Sequence, residues 1–98
     1  MTINELRASI DDVDDQLLHL LNERSRLATQ IAAQKMSAGI PLRDLKRESE
    51  VLSRMAGANE GPLEDQAVVR IFQCVLRESC RVQLNLVRAA CVETDQVS

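Results

Sequence analysis

The first 38 residues carry a long apolar seam that no helix-breaking residue interrupts. Apolar residues recur every three or four positions after Thr2, at Ile3, Leu6, Ile10, Val13, Leu17, Leu20, Leu27 and Ile31. Thr2 and Glu5 have the spacing of a capping box, and the next residues that favour a helix end are Gly39 and Pro41. The pattern predicts one helix over about residues 3–38, about 54 Å long at 1.5 Å per residue.

A helix of this length is too long for the chain to cover by itself. A compact domain of 98 residues should be only about 33 Å across. The rest of the chain can bury part of the seam, and the remainder needs another partner. The sequence therefore predicts a homodimer in which two long first helices pair.

The remaining residues also favour helices. The chain is 45% apolar with a single aromatic residue, Phe72, a composition typical of packed helices rather than of a β-sandwich or barrel. Apolar spacing and loop residues predict a second helix over about 44–56, a loop over 57–62, a third helix over about 63–90 and a frayed tail over 93–98. The expected fold is all-α: one domain spanning 1–98, with three helices per chain, interlocked as a homodimer.

Composition argues against several classes of function. The net charge is −3, and there is no Trp or Tyr on which bases could stack, so we do not expect a nucleic-acid partner. The three cysteines do not have metal-binding spacing, and no apolar run is long enough to span a bilayer. The first residues lack the charge and apolar core of a signal peptide, which predicts a cytoplasmic protein without a membrane partner.

Cationic side chains interrupt the predicted core faces of this acidic chain. Arg24 takes a seam position, and Lys35 follows eleven residues later, close to three full helical turns, on nearly the same face. With Arg7 and Arg47 they suggest a site for a small, multiply charged anion. Arg24 could instead be in an internal ion pair or extend its guanidinium to solvent, and Arg7 could be an ordinary exposed residue beside Asp11.

Two neutral polar residues interrupt the apolar face of the third helix. Ser79 and Gln83 are four positions apart, on the side that also carries Phe72 and Leu76. Such residues can be core polar groups that bond to a nearby backbone. Together with the cations they also match the few convergent polar groups of a small-molecule pocket.

The order of these motifs resembles the all-helical chorismate mutases of the bacterial type. The resemblance covers Leu6 to about Leu86. It rests on Leu-Arg-x-x-Ile-Asp-x-Val-Asp at 6–14, Leu-Leu-Asn-Glu-Arg at 20–24, Lys35, Pro41, Arg43-Asp44-Leu45-Lys46-Arg47-Glu48, and Ser79 with Gln83. The loop over 59–63 is most similar to mutase domains fused to prephenate dehydratase. The family reaction converts chorismate to prephenate in phenylalanine and tyrosine biosynthesis, and it needs no cofactor and no metal.

The resemblance implies a role for each polar residue. Arg24 and Arg47 would hold the carboxylates of chorismate with Arg7 from the partner chain, and Ser79 would support the ring carboxylate. Lys35 and Gln83 would flank the ether oxygen. Glu48 would bind the ring hydroxyl by accepting a hydrogen bond from it, with help from the backbone around Asp44. Apolar walls would come from Ile31, Leu76 and Cys80.

Two other functions fit the same fold. An isochorismate-pyruvate lyase would also surround an enol-pyruvyl ether with cations, although Arg47-Glu48 favours the mutase. A helical dimerisation or regulatory module could have kept the fold and lost catalysis. The complete set of matching polar residues argues against that alternative.

Overall fold

The computed structural model describes the backbone of residues 1–97 and the side chains of residues 1–90. It has three helices, α1 (Ile3–Ala38), α2 (Leu45–Ala58) and α3 (Asp65–Val97). The described residues contain no strand. The predicted all-α fold, with a long first helix, is confirmed.

Local hydrogen bonds define both ends of α1. The Thr2 hydroxyl accepts a hydrogen bond from the Glu5 amide at 3.1 Å and donates to the Glu5 carboxylate at 3.2 Å, as in a capping box. At the other end, Gly39 has φ 69°, a left-handed conformation that glycine adopts without steric cost. The Ile40 amide then bonds to the Lys35 carbonyl at 2.9 Å. Because these contacts close the helix at Gly39, Lys35 lies in its last turn.

The other two helices have different ends from those predicted. The helix predicted to end near 56 continues to Ala58, since one interior glycine, Gly57, costs a helix only about 1 kcal/mol. The third helix begins at Asp65 rather than near 63, because Asn59 Nδ2 donates to the Leu63 carbonyl at 2.7 Å and to the Asp65 carboxylate at 2.8 Å, which keeps the connection non-helical. The backbone of α3 is helical to Val97 rather than to about 90. Side chains of the predicted frayed tail, 93–98, lie outside the described residues.

The helix α3 packs against both α1 and α2. The buried apolar side chains of the described residues are small: Ala28 and Ala32 on α1, Val51 on α2 and Val68 on α3. Alanines on α1 let the α3 backbone approach closely, and Ser79, only 9% exposed, lies in the same interior. One chain therefore has a thin core, located toward the C-terminal half of α1.

No apolar side chains of residues 1–90 cover the N-terminal half of α1. The molecule measures 63 × 29 × 16 Å, and its radius of gyration is 17.6 Å, compared with about 13 Å for a compact domain of this size. The seam residues from Ile3 to Leu20 are 48–68% exposed. None of the helices, over the described part, is long and apolar enough to cross a membrane.

Candidate active site

An open cavity of about 410 Å³ lies between the three helices and the connection from α1 to α2. It is lined by Arg24, Leu27, Ala28, Ile31, Lys35, Leu42, Arg43, Asp44, Arg47, Glu48, Val51, Leu76, Ser79, Cys80 and Gln83. These include every predicted site residue except Arg7. Four cationic and two anionic side chains line the cavity, so it has a net charge of about +2 in a chain whose net charge is −3.

Arg24 reaches from α1 to α3. Its Nη1 donates a hydrogen bond to the Ser79 hydroxyl at 2.5 Å. No carboxylate of the described residues forms an ion pair with Arg24. An internal ion pair within the described residues therefore does not explain why an arginine occupies this seam position. The half-buried guanidinium keeps its charge available for an anion in the cavity.

Lys35 and Gln83 donate hydrogen bonds to backbone carbonyls at the cavity wall. Lys35 Nζ donates to the Leu42 carbonyl at 3.0 Å, and Gln83 Nε2 donates to the Ala28 carbonyl at 2.9 Å. An ammonium group has three donors and a primary amide has two. Each side chain is therefore oriented by one bond and keeps at least one donor for a ligand.

The first turn of α2 brings Asp44, Arg47 and Glu48 to the cavity. Asp44 is the N-cap of this helix, and its Oδ1 accepts a hydrogen bond from the Arg47 amide at 3.0 Å. The Arg47 guanidinium lies 3.9 Å from Glu50, and both side chains are more than half exposed. Such a pair is weak, so Arg47 can turn to a ligand at little cost.

Glu48 has two contacts that sequence reasoning missed. Its Oε2 lies 3.5 Å from Nε of Arg43, and its Oε1 accepts a hydrogen bond from the Cys80 thiol at 3.7 Å. Burial raises the pKa of Cys80, and the charge of Glu48 and the hydrogen bond to it raise that pKa further. The sequence offered one signal for Arg43, its position directly before the N-cap of α2. No local pattern indicated that Cys80 would face a carboxylate.

Arg7, a predicted site residue, and His19, the single histidine of the chain, lie away from the cavity. Arg7 is exposed on α1, seventeen residues and therefore about 25 Å before Arg24, and it forms no ion pair with the described residues. His19 is 71% exposed and lies 4.0 Å from Glu23. The described residues also contain no group of side chains suited to a metal ion.

Comparison with known proteins identifies the family. The family model described as chorismate mutase type II matches residues 6–84. A bifunctional chorismate mutase/prephenate dehydratase from Neisseria gonorrhoeae is 38% identical over 87% of this chain, but the match covers 24% of that protein. The chain thus spans about a quarter of the length of this bifunctional relative. A chorismate mutase from Methanocaldococcus jannaschii is 31% identical, and the match covers 81% of each chain.

Solved structures agree with the sequence matches. A chorismate mutase from Thermus thermophilus superposes with a TM-score of 0.81 and 33% identity, covering 83% of this chain and 92% of that one. A chorismate mutase from Helicobacter pylori, solved in complex with prephenate, gives a TM-score of 0.80 and 30% identity, covering 88% and 93% of the two chains. With its three-helix fold and the family match over most of its length, this chain belongs to the type II chorismate mutase family.

Proposed function

We propose that this chain converts chorismate to prephenate, and the observation that carries the proposal is the cavity. It gathers four cationic side chains and two neutral polar side chains, Ser79 and Gln83, from parts of the sequence far apart. Chorismate is a dianion with an ether oxygen and a ring hydroxyl, so it needs cations and donors of this kind. The relative from Helicobacter pylori was solved with prephenate, the product of the same conversion.

The reaction is an intramolecular [3,3] rearrangement, which requires no nucleophile. A protein can accelerate it by holding the substrate in its compact reactive shape and by stabilising charge that grows as the ether bond breaks. Arg24 and Arg47 suit the first task, because a planar guanidinium can bind a carboxylate through two hydrogen bonds. Ser79 would support the ring carboxylate, since its hydroxyl accepts from Arg24 and keeps its own proton to donate.

Lys35 and Gln83 suit the second task. Each retains a spare donor after bonding to its backbone carbonyl, and these donors would flank the ether oxygen. Glu48 would accept a hydrogen bond from the ring hydroxyl of the substrate. Because Glu48 lies in the first turn of α2, after the N-cap Asp44, backbone amides of that turn would help to bind the same hydroxyl.

The proposal includes a homodimer in which Arg7 of the partner completes each site. The exposed seam from Ile3 to Leu20 would be buried by the partner's helices, which offsets the thin core of one chain. In an antiparallel pairing of two α1 helices, the N-terminal end of one lies near the middle of the other. Arg7 would then reach the cavity that contains Arg24. The cytoplasmic location stays a prediction from the sequence.

The direct test is to incubate the purified chain with chorismate and to follow the appearance of prephenate. We expect stoichiometric conversion without added metal or cofactor. Separate incubation with isochorismate distinguishes the lyase, because only that activity releases pyruvate. A folded chain that leaves both substrates unchanged would contradict the proposal and support the non-catalytic module.

The variant Gln83→Glu should move the pH optimum of the reaction downward. A carboxyl group can donate to the ether oxygen only when protonated, so kcat/KM should rise as the pH falls through the pKa of the new carboxyl. The Ala28 carbonyl oxygen beside this position repels a carboxylate, which also favours the protonated form. The measurement is kcat/KM between about pH 4 and 8, a range that includes the ordinary pKa of glutamic acid.

Two further variants serve as controls for this profile. Gln73→Glu places the same carboxyl on an exposed part of α3 and should leave the wild-type profile unchanged. Gln83→Ala removes the donor and should lose activity at every pH. If Gln83→Glu keeps the wild-type profile, Gln83 does not donate to the ether oxygen.

A further inference from the structure

We propose that Cys80 and Arg43 are positioning residues that hold the Glu48 carboxylate in the orientation that receives the substrate hydroxyl, an inference that rests on the proposed function. The three residues come from three parts of the fold. Glu48 lies in the first turn of α2, Cys80 lies on α3, and Arg43 lies in the connection before α2. All three line the cavity.

The two contacts engage different oxygens of Glu48. Cys80 Sγ lies 3.7 Å from Oε1, and Arg43 Nε lies 3.5 Å from Oε2. Contacts at both oxygens restrict rotation of the carboxylate plane, which a single contact would not do. An ionised carboxylate has about four acceptor positions, so Glu48 can hold both neighbours and still accept a ligand hydroxyl.

Of the two neighbours, Cys80 provides the firmer restraint. The Arg43 side chain is 71% exposed, and water weakens an exposed ion pair. Cys80 is half-buried on a helix, and its short side chain has a single rotatable bond before the sulfur. Burial and the charge of Glu48 raise the pKa of the thiol, so at neutral pH it carries the proton that it donates.

This role differs from that of an apolar wall. A wall residue would act through its volume, and valine would replace the cysteine without loss. A donor to Glu48 would be lost in valine and retained in serine, whereas serine, which is smaller than cysteine, would fill an apolar wall less well than valine. The chain also offers a matched control, since Cys74 is an exposed free cysteine on the same helix.

The experiment measures kcat and KM for chorismate in Cys80→Val, Cys80→Ser and Cys74→Val. We expect Cys80→Val to raise KM about threefold to tenfold, the factor associated with one hydrogen bond, with a smaller change in kcat. Cys80→Ser should stay within about twofold of wild type, and Cys74→Val should match wild type. Arg43→Gln should raise KM less than Cys80→Val does. Equal KM values in Cys80→Val and wild type would overturn the inference.

A double-variant comparison tests whether Cys80 acts through Glu48. In the Glu48→Ala background, which removes the acceptor of the thiol hydrogen bond, adding Cys80→Val should change KM by less than about twofold, because coupled residues are not additive. The same factor in both backgrounds would overturn the positioning role and show that Cys80 acts as a wall.

A readout without substrate separates this inference from the proposed function. The charged groups that face the thiol are Glu48, Arg43 and Lys35. In a Cys74→Ser, Cys91→Ser protein, ultraviolet titration of the remaining thiolate should give a lower pKa after Glu48→Gln, because that change removes the negative charge. If wild type lacks mutase activity but the pKa falls, the proposed function fails and the Cys80–Glu48 contact stands. An unchanged pKa in an active enzyme would overturn the contact alone.

Discussion

Replacing Lys35 with alanine should lower kcat for chorismate conversion by at least about a hundredfold and leave the helical fold intact. A donor aimed at an oxygen that gains charge in a buried site lowers the activation barrier by about 3–4 kcal/mol, and each 1.36 kcal/mol is about a factor of ten in rate. Lys35 forms one hydrogen bond, to the Leu42 carbonyl, and no ion pair with the described residues. Its removal therefore leaves no buried charge without a partner.

The other lysine of the chain provides the control for this measurement. Lys46 is exposed on α2 and does not line the cavity, so Lys46→Ala removes the same charge and should keep wild-type kcat. Circular dichroism of both variants should match wild type. Near-wild-type turnover in Lys35→Ala would contradict the proposed function. Arg24→Ala should cause a similar loss, but it also leaves the buried Ser79 hydroxyl without its partner, so Lys35 gives the cleaner result.

The first helix could be predicted from local chemistry because its signals are local. Thr2 and Glu5 bond to each other across three residues, and Gly39 adopts the left-handed conformation that ends the helix. The start of α3 could not be predicted in this way. It depends on the Asn59 side chain, which bonds to Leu63 and Asp65, and a loop-forming composition does not specify these partners.

Local sequence patterns likewise predict some features of the candidate site and not others. Helical periodicity placed Arg24 and Lys35 on one face, and four-residue spacing did the same for Ser79 and Gln83. The roles of Arg47 and Glu48 came from family resemblance, since their spacing in the sequence does not specify which ligand groups they would contact. Bonds between distant residues could not be predicted at all. Arg24 and Ser79 are 55 positions apart, and Cys80 and Glu48 are 32 apart.

The position of Arg7 leads to the second large effect. Arg7→Ala and Arg24→Ala should each be nearly inactive alone, and mixing them should restore about a quarter of wild-type activity if the dimer has two-fold symmetry. After random exchange about half of the dimers contain one chain of each kind. In such a dimer one site combines an intact Arg24 with an intact Arg7 from the partner, and the other site lacks both. The measurement is chorismate turnover of the mixture, with subunit exchange followed by mass spectrometry of dimers that carry two distinct tags.

A second mixture shows whether recovery depends on sharing between chains. Arg24 and Lys35 line the cavity of the same chain, so mixing Arg24→Ala with Lys35→Ala leaves every site without one of them, and activity should not return. Recovery in the first mixture and its absence in the second would place Arg7 of one chain in the site of the other. If tagged dimers exchange and neither mixture recovers, Arg7 does not act across the interface. The exposed apolar seam in the N-terminal half of α1 would then need an explanation unrelated to the site.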